Sequence, residues 1–102
     1  MSTSGTVRVS RDLFDDAAFK DEPFSEREAF LWMVMEASFK AREKRVGSAS
    51  ITLNRGQLAA SSRFMAGAWK WAEARVRRYL ERLKNRRMIE CVADAGVTVI
   101  TL

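Results

Sequence analysis

Between Lys70 and Arg87 the chain places apolar side chains at Val76, Tyr79, Leu80 and Leu83, the i, i+3, i+4, i+7 spacing of a helix with one buried stripe. Almost everything else in that segment is charged. Its 18 residues hold eight basic side chains and two acidic ones, Glu73 and Glu81, a net charge of +6. The whole chain carries +5, so the rest sums to −1 and the basicity is local. The pattern predicts a helix from about Ala72 to Asn85 or Arg87, lying on a core and turning an arginine-rich side outward. That outer side suits a polyanion, with double-stranded DNA as the leading candidate.

The remaining segments read outward from this helix. Ser25, with Glu28 three residues later, is a capping box, and a first helix is expected from about Glu26 to Ala41, acidic at its start and basic at its end (Lys40, Arg42). Ala29 to Met35 are seven consecutive nonpolar residues, more than one amphipathic face requires. This helix therefore needs cover on a second side. An N-terminal arm carrying Leu13, Phe14 and Phe19 is one source, with Ser10 capping a short helical turn. A second copy of the chain is the other, with Phe30, Trp32, Met33 and Met35 as the dimer interface.

Lys40 to Arg45 reads as a charged connector, and Gly47-Ser-Ala-Ser as a loop. Ser50-Ile-Thr-Leu alternates and is β-branched, so it reads as a strand. Asn54-Arg-Gly-Gln is a turn with Gly56 at the position that tolerates positive φ. Ser61 or Ser62 caps a second helix reaching about Ala68. Met88 to Val92 and Val97 to Leu102, joined by a tight turn at Ala93-Asp-Ala-Gly96, make a C-terminal hairpin.

Absences narrow the function. The chain has no histidine, which removes histidine-based triads and dyads, and it shows no glycine-rich phosphate loop. With one cysteine, Cys91, and no histidine, an internal disulfide is impossible and a cysteine-histidine zinc site lacks its ligand set. The carboxylate pairs Asp15-Asp16 and Asp21-Glu22 read as solvated surface. No enzyme, cofactor or metal is expected. No apolar run approaches the roughly 18 residues of a membrane span, and no signal-peptide core is visible, so a cytoplasmic protein is expected. At 102 residues the chain is one domain, 7–102, after a short polar N-terminus, 1–6, expected to be disordered.

The order helix, strand, helix, turn, helix, hairpin is that of a winged helix: a mainly α domain with a small β-sheet, in which strand 50–53 completes the sheet and the hairpin is the wing. The stretches Phe19-Lys-Asp-Glu-Pro-Phe-Ser-Glu-Arg-Glu-Ala-Phe-Leu-Trp, Leu53-Asn-Arg-Gly-Gln-Leu-Ala-Ala-Ser and Arg75-Val-Arg-Arg-Tyr-Leu-Glu-Arg-Leu resemble small phage and prophage helix-turn-helix proteins. They are similar to the N-terminal winged-helix domain of phage replisome organisers and DnaD-like replication initiation proteins. The resemblance implies DNA binding in replication initiation. Two positions depart from it: Ala72 stands where a Ser or Thr cap is usual, and Lys70 where the turn often has Gly.

In that arrangement Arg75, Arg77 and Arg78 lie at the end of the recognition helix that reaches base edges. At roughly 100° per residue, Arg75, Arg78, Arg82 and Arg86 share one flank, while Arg77 and Lys84 share the other. Arg82, Lys84, Arg86 and Arg87 are placed to meet phosphates, and Arg63 and Lys70 to clamp the backbone. Lys40, Arg42, Lys44 and Arg45 read either as a second phosphate patch or as a solvated linker. Trp69 and Trp71 read as core plugs beneath the turn. No Lys or Arg lies between Met88 and Leu102, so the wing is expected to add little to DNA contact. Two alternatives stay open: a free-standing transcriptional regulator, and a protein–protein adaptor that uses the same scaffold to dock a replication or transcription partner.

Overall fold

The structure, a computed structural model, describes residues 8–10, 12–37, 41–46, 48–94 and 97–102. The expectations for residues 1–6, for helix 38–40 with Lys40, for Gly47 and for the 95–96 turn lie outside the described residues. The elements run α1 (Glu26–Glu36), β1 (Arg42–Val46), β2 (Ala49–Leu53), β3 (Gln57–Ala60), α2 (Ser62–Trp69), α3 (Glu73–Asn85), β4 (Glu90–Asp94) and β5 (Val97–Thr101), with a 3₁₀ turn at Leu13–Asp15 ahead of them. The chain is an α+β fold of three helices and two small antiparallel sheets.

Helix α1 begins at the expected capping box: Ser25 Oγ accepts from the Glu28 amide at 3.2 Å, and Glu28 Oε1 accepts from the Ser25 amide at 2.9 Å. It ends five residues early, at Glu36, because Ala37 turns extended (ψ 141°) and the chain enters β1. In the charged connector, Arg42 to Arg45 lie in a strand. Arg42 to Val46 pair with Leu53 to Ala49 in a two-stranded ribbon, and the expected loop supplies part of β2. An Arg-Glu-Lys-Arg run carries no β signal of its own. Pairing with the β-branched β2 imposes it. In the N-terminal arm, Ser10 Oγ accepts from the Asp12 amide at 3.2 Å, but the 3₁₀ turn follows Asp12, whose side chain makes no cap bond.

The main sheet has strand order β3-β5-β4. Leu58 faces Ile100 across one pair and Cys91 faces Ile100 across the other. The strand that completes this sheet is therefore Gln57–Ala60, not 50–53. The expected turn is present, with Gly56 at φ 82°, a value a β-carbon strains, and with Gln57 N bonded to the Asn54 carbonyl at 3.1 Å. The hairpin partner of β5 starts at Glu90, two residues later than expected. Arg87 takes a left-handed conformation (φ 59°), and Met88 N caps the Leu83 carbonyl at 3.0 Å.

The two faces of this sheet are covered by different layers. Leu58, Ala60, Ile89 and Ile100 turn toward the helices. Ala59 and Val97 turn the other way and are covered by Ile51 and Leu53 of the ribbon. Lys44 Nζ donates to the Ala59 carbonyl at 3.0 Å, tying the ribbon to β3.

Most of the seven-residue apolar run of α1 is explained within the chain. Ala29, Trp32 and Met33 are buried in the helical core, so Trp32 and Met33 do not offer the dimer surface expected of them; Phe30 and Met35 are half-buried. The N-terminal arm does return to the core, where Phe14 packs on Phe24 with ring centroids 4.9 Å apart. Phe19 stays out, 62 % exposed.

Candidate nucleic-acid interface

The link Trp69-Lys70-Trp71 decides how α3 is held. Helix α2 starts on Ser61, whose Oγ accepts from the Phe64 amide at 3.0 Å, and ends on Lys70, which is left-handed (φ 59°, ψ 43°). The departure from Gly at this position therefore leaves a lysine in the conformation glycine adopts most readily. Trp71 N donates to the Ala66 carbonyl at 3.0 Å, completing the turn. Helix α3 then starts on Ala72, which makes no side-chain cap bond. A core stripe of Val76, Tyr79, Leu80 and Leu83 holds the helix down, as its spacing predicts.

Both tryptophans are core plugs. Trp69 is fully buried and meets Trp32, Trp71 and Tyr79 edge-to-face, with centroids 5.7, 5.0 and 5.8 Å away. Its indole N–H finds no oxygen acceptor among the described residues. Three backbone bonds fasten this aromatic cluster to the start of α1. Trp71 Nε1 donates to the Phe24 carbonyl at 2.8 Å, Tyr79 Oη donates to the Glu26 carbonyl at 2.7 Å, and Phe24 N donates to the Trp69 carbonyl at 3.0 Å. Burial is the main cause that pushes the Tyr79 hydroxyl up to about 12; the Glu26 carboxylate adds to this and Arg82 opposes it. Tyr79 is therefore a neutral donor at any physiological pH.

The expected basic residues have separate fates. Arg75 lies over the Trp71 ring, its guanidinium carbon 3.8 Å from the ring centroid. That contact orients an exposed cation at a cost its own cation–π attraction offsets, about 0.5–1 kcal/mol. Arg78 and Arg86 are exposed and have no carboxylate partner among the described residues. Arg63 is also exposed, on the solvent side of α2 beside Phe64 and Gly67. The other three are engaged. Lys70 Nζ sits 2.9 Å from Asp21, Arg77 sits 3.4 Å from Glu73 one turn back, and Arg82 pairs with Glu26 while lying over the Tyr79 ring.

These pairs are exposed, so each holds its arginine or lysine weakly, by about 0–1 kcal/mol, and an incoming phosphate can compete for it. The pairs with Asp21 and Glu26 escaped the sequence reading, since nothing local relates residues so far apart. Only the i, i+4 pair Glu73–Arg77 was legible in the spacing.

Away from α3, the ribbon adds Arg42, Lys44 and Arg45 on β1. Lys44 is committed to Ala59, while Arg45 is exposed opposite Ser50. Cys91 lines the core side of the sheet, and burial pushes its thiol up despite nearby Lys84, which makes it a poor nucleophile. Among the described residues no group of three or more carboxylates, cysteines or histidines could hold a metal ion, and no helix is long and apolar enough to cross a membrane. No protein-family model, curated protein or solved structure matches the chain.

Proposed function

We propose that this chain is a winged helix-turn-helix protein that binds double-stranded DNA through α3, without catalysis. The order α1, β3, α2, α3, β4, β5 and the strand order β3-β5-β4 support the winged-helix reading, with the β1–β2 ribbon as an addition on the outer face of the sheet. The observation that carries DNA binding is the pair Arg75 and Arg78. Both are exposed near the start of a helix whose opposite side is anchored, and among the described residues neither is spent on a carboxylate.

The local charge brings the protein to the duplex, and α3 enters the major groove by its N-terminal half. Arg75 and Arg78 then bond to guanine O6 and N7, a contact worth roughly 1–3 kcal/mol of discrimination each. Arg82 and Arg86, further along, meet phosphates. The wing carries no cation, so the ribbon with Arg45 is the better second contact to the backbone. By the resemblance of the sequence, the setting is phage or prophage replication initiation in the cytoplasm of a bacterial host.

A gel shift on duplex DNA tests this. Affinity should drop at least tenfold between about 50 and 200 mM salt. Arg75→Ala with Arg78→Ala should weaken binding at least tenfold at fixed salt. Unchanged binding by the double variant refutes the assignment of α3. A footprint on a replication origin, as opposed to a promoter, separates replication from transcriptional control.

A further inference from the structure

Helix α1 carries a second apolar stripe that no part of the described chain covers completely. By helical spacing, Arg27, Phe30, Leu31 and Val34 lie on one side of α1, about half a turn from the buried Ala29 and Met33. With Leu83 and Met88 they line a shallow groove between α1 and α3 of about 390 Å³, open to solvent along its length. Val34 is 45 % exposed and Met88 46 %. The floor is apolar, which excludes a nucleic-acid backbone. From Arg27 to Val34 the groove follows two turns of α1, about 11 Å, enough for the i, i+3, i+4 and i+7 anchors of one docked helix.

The rim decides what that helix is. Arg27, Arg82 and Arg86 border the groove, and Glu26 is the one acidic residue lining it. Glu26 is already paired with Arg82, so Arg27 and Arg86 have no carboxylate partner among the described residues. A twofold dimer through this groove would bring like-charged rims together, since each patch meets its own copy. Glu36 cannot relieve that, because it lies half a turn around α1 from the stripe. Phe14, in the described part of the N-terminal arm, is seated elsewhere, on Phe24.

We propose that the α1–α3 groove docks an amphipathic helix of a partner protein, apolar along one stripe and acidic along its borders. The apolar floor is separate from the duplex contact of Arg75 and Arg78, whereas Arg82 and Arg86 border both surfaces, so Val34 is the position that separates the two functions.

The test uses the full chain and two labelled helical peptides, read by fluorescence anisotropy. One peptide carries Leu at i, i+3, i+4 and i+7 with Glu at flanking positions; the other has Lys for every Glu. The Glu peptide should bind at least tenfold more tightly than the Lys peptide. Val34→Asp should weaken it at least tenfold and Arg27→Ala with Arg86→Ala at least fivefold. Val34→Asp should leave duplex binding within twofold and the circular-dichroism melt unchanged, which separates loss of docking from loss of fold. Equal affinity for the two peptides, or Glu-peptide binding that ignores Val34→Asp, overturns the proposal. So does a concentration-dependent dimer in sedimentation that Val34→Asp abolishes, since the groove then belongs to a second copy.

Discussion

Helices α1 and α3 are both buried on one side, yet they present opposite surfaces on the other. In α3 the apolar stripe is narrow and everything outside it is charged or small, so solvent satisfies the remainder. In α1 apolar residues surround most of the helix: Ala29, Trp32 and Met33 face the core, while Val34 is exposed and Leu31 half-buried on the other side. The difference teaches that a one-sided helix declares a surface for water or a polyanion, whereas a two-sided one declares that something else must cover it. Phe14 and Phe24 pack against the core cluster to which α1 contributes its buried side. The groove beside Val34 and Met88 is what is left over.

The sharpest way to break this contrast is to truncate neighbours in α1. Met33→Ala should cost about 2–5 kcal/mol, because it leaves a cavity in the core, while Val34→Ala should cost no more than about 0.5 kcal/mol. Urea unfolding of both variants decides; similar losses would mean that the two sides of α1 are not distinct in energy.

The joint between the two helices is expected to fail in alkali. Tyr79 is the only tyrosine in the chain, so its ultraviolet phenolate band reports one site. Its hydroxyl is pushed up to about 12, against an ordinary value near 10. The folded state therefore holds that proton more tightly than the unfolded state does. The resulting stability, on the order of 2 kcal/mol, is fully present below pH 10 and is lost as pH rises from about 10 through 12. A phenolate midpoint near 10 in the folded protein would contradict the burial and the Glu26 bond.

A smaller effect sharpens the α3 side. Ala72 has extended geometry ready for a cap but no oxygen to offer. Ala72→Ser should raise stability by about 1 kcal/mol in the same unfolding assay, and an unchanged midpoint would show that the first turn is capped by other means. Smallest of all, Glu73→Gln should change stability by less than about 0.5 kcal/mol, since the Arg77 pair is exposed. The same variant removes a competitor for Arg77, so duplex affinity should rise slightly. A clear fall would assign Glu73 a direct part in the interface.

Much of the helical fold was legible because its signals are local. The capping box at Ser25, the Ser61 cap, the α3 stripe and the turn at Gly56 each depend on residues a few positions apart. The ribbon was not legible. Arg42 to Arg45 form a strand because β2 pairs with them, and β2 is held by Ala59 and Val97. Exchanging strand 50–53 for Gln57–Ala60 in the main sheet has the same origin. Both segments read as strands or turns, and only the placement of β5 selects between them. For the candidate interface, the identities of the basic residues came from sequence, but their availability did not.

The sequence alone determined where helices start, which stripe of α3 is buried and how much positive charge its surroundings carry, because these follow from neighbours within a turn or two. Tertiary structure decided which cations are spent. Asp21 reaches Lys70 and Glu26 reaches Arg82 only after Trp69, Trp71 and Tyr79 lock α3 onto the start of α1. The same docking leaves the outer stripe of α1 bare. Electrostatic and apolar contacts depend on distance in space, and for residues this far apart in the chain that distance exists only in the folded molecule.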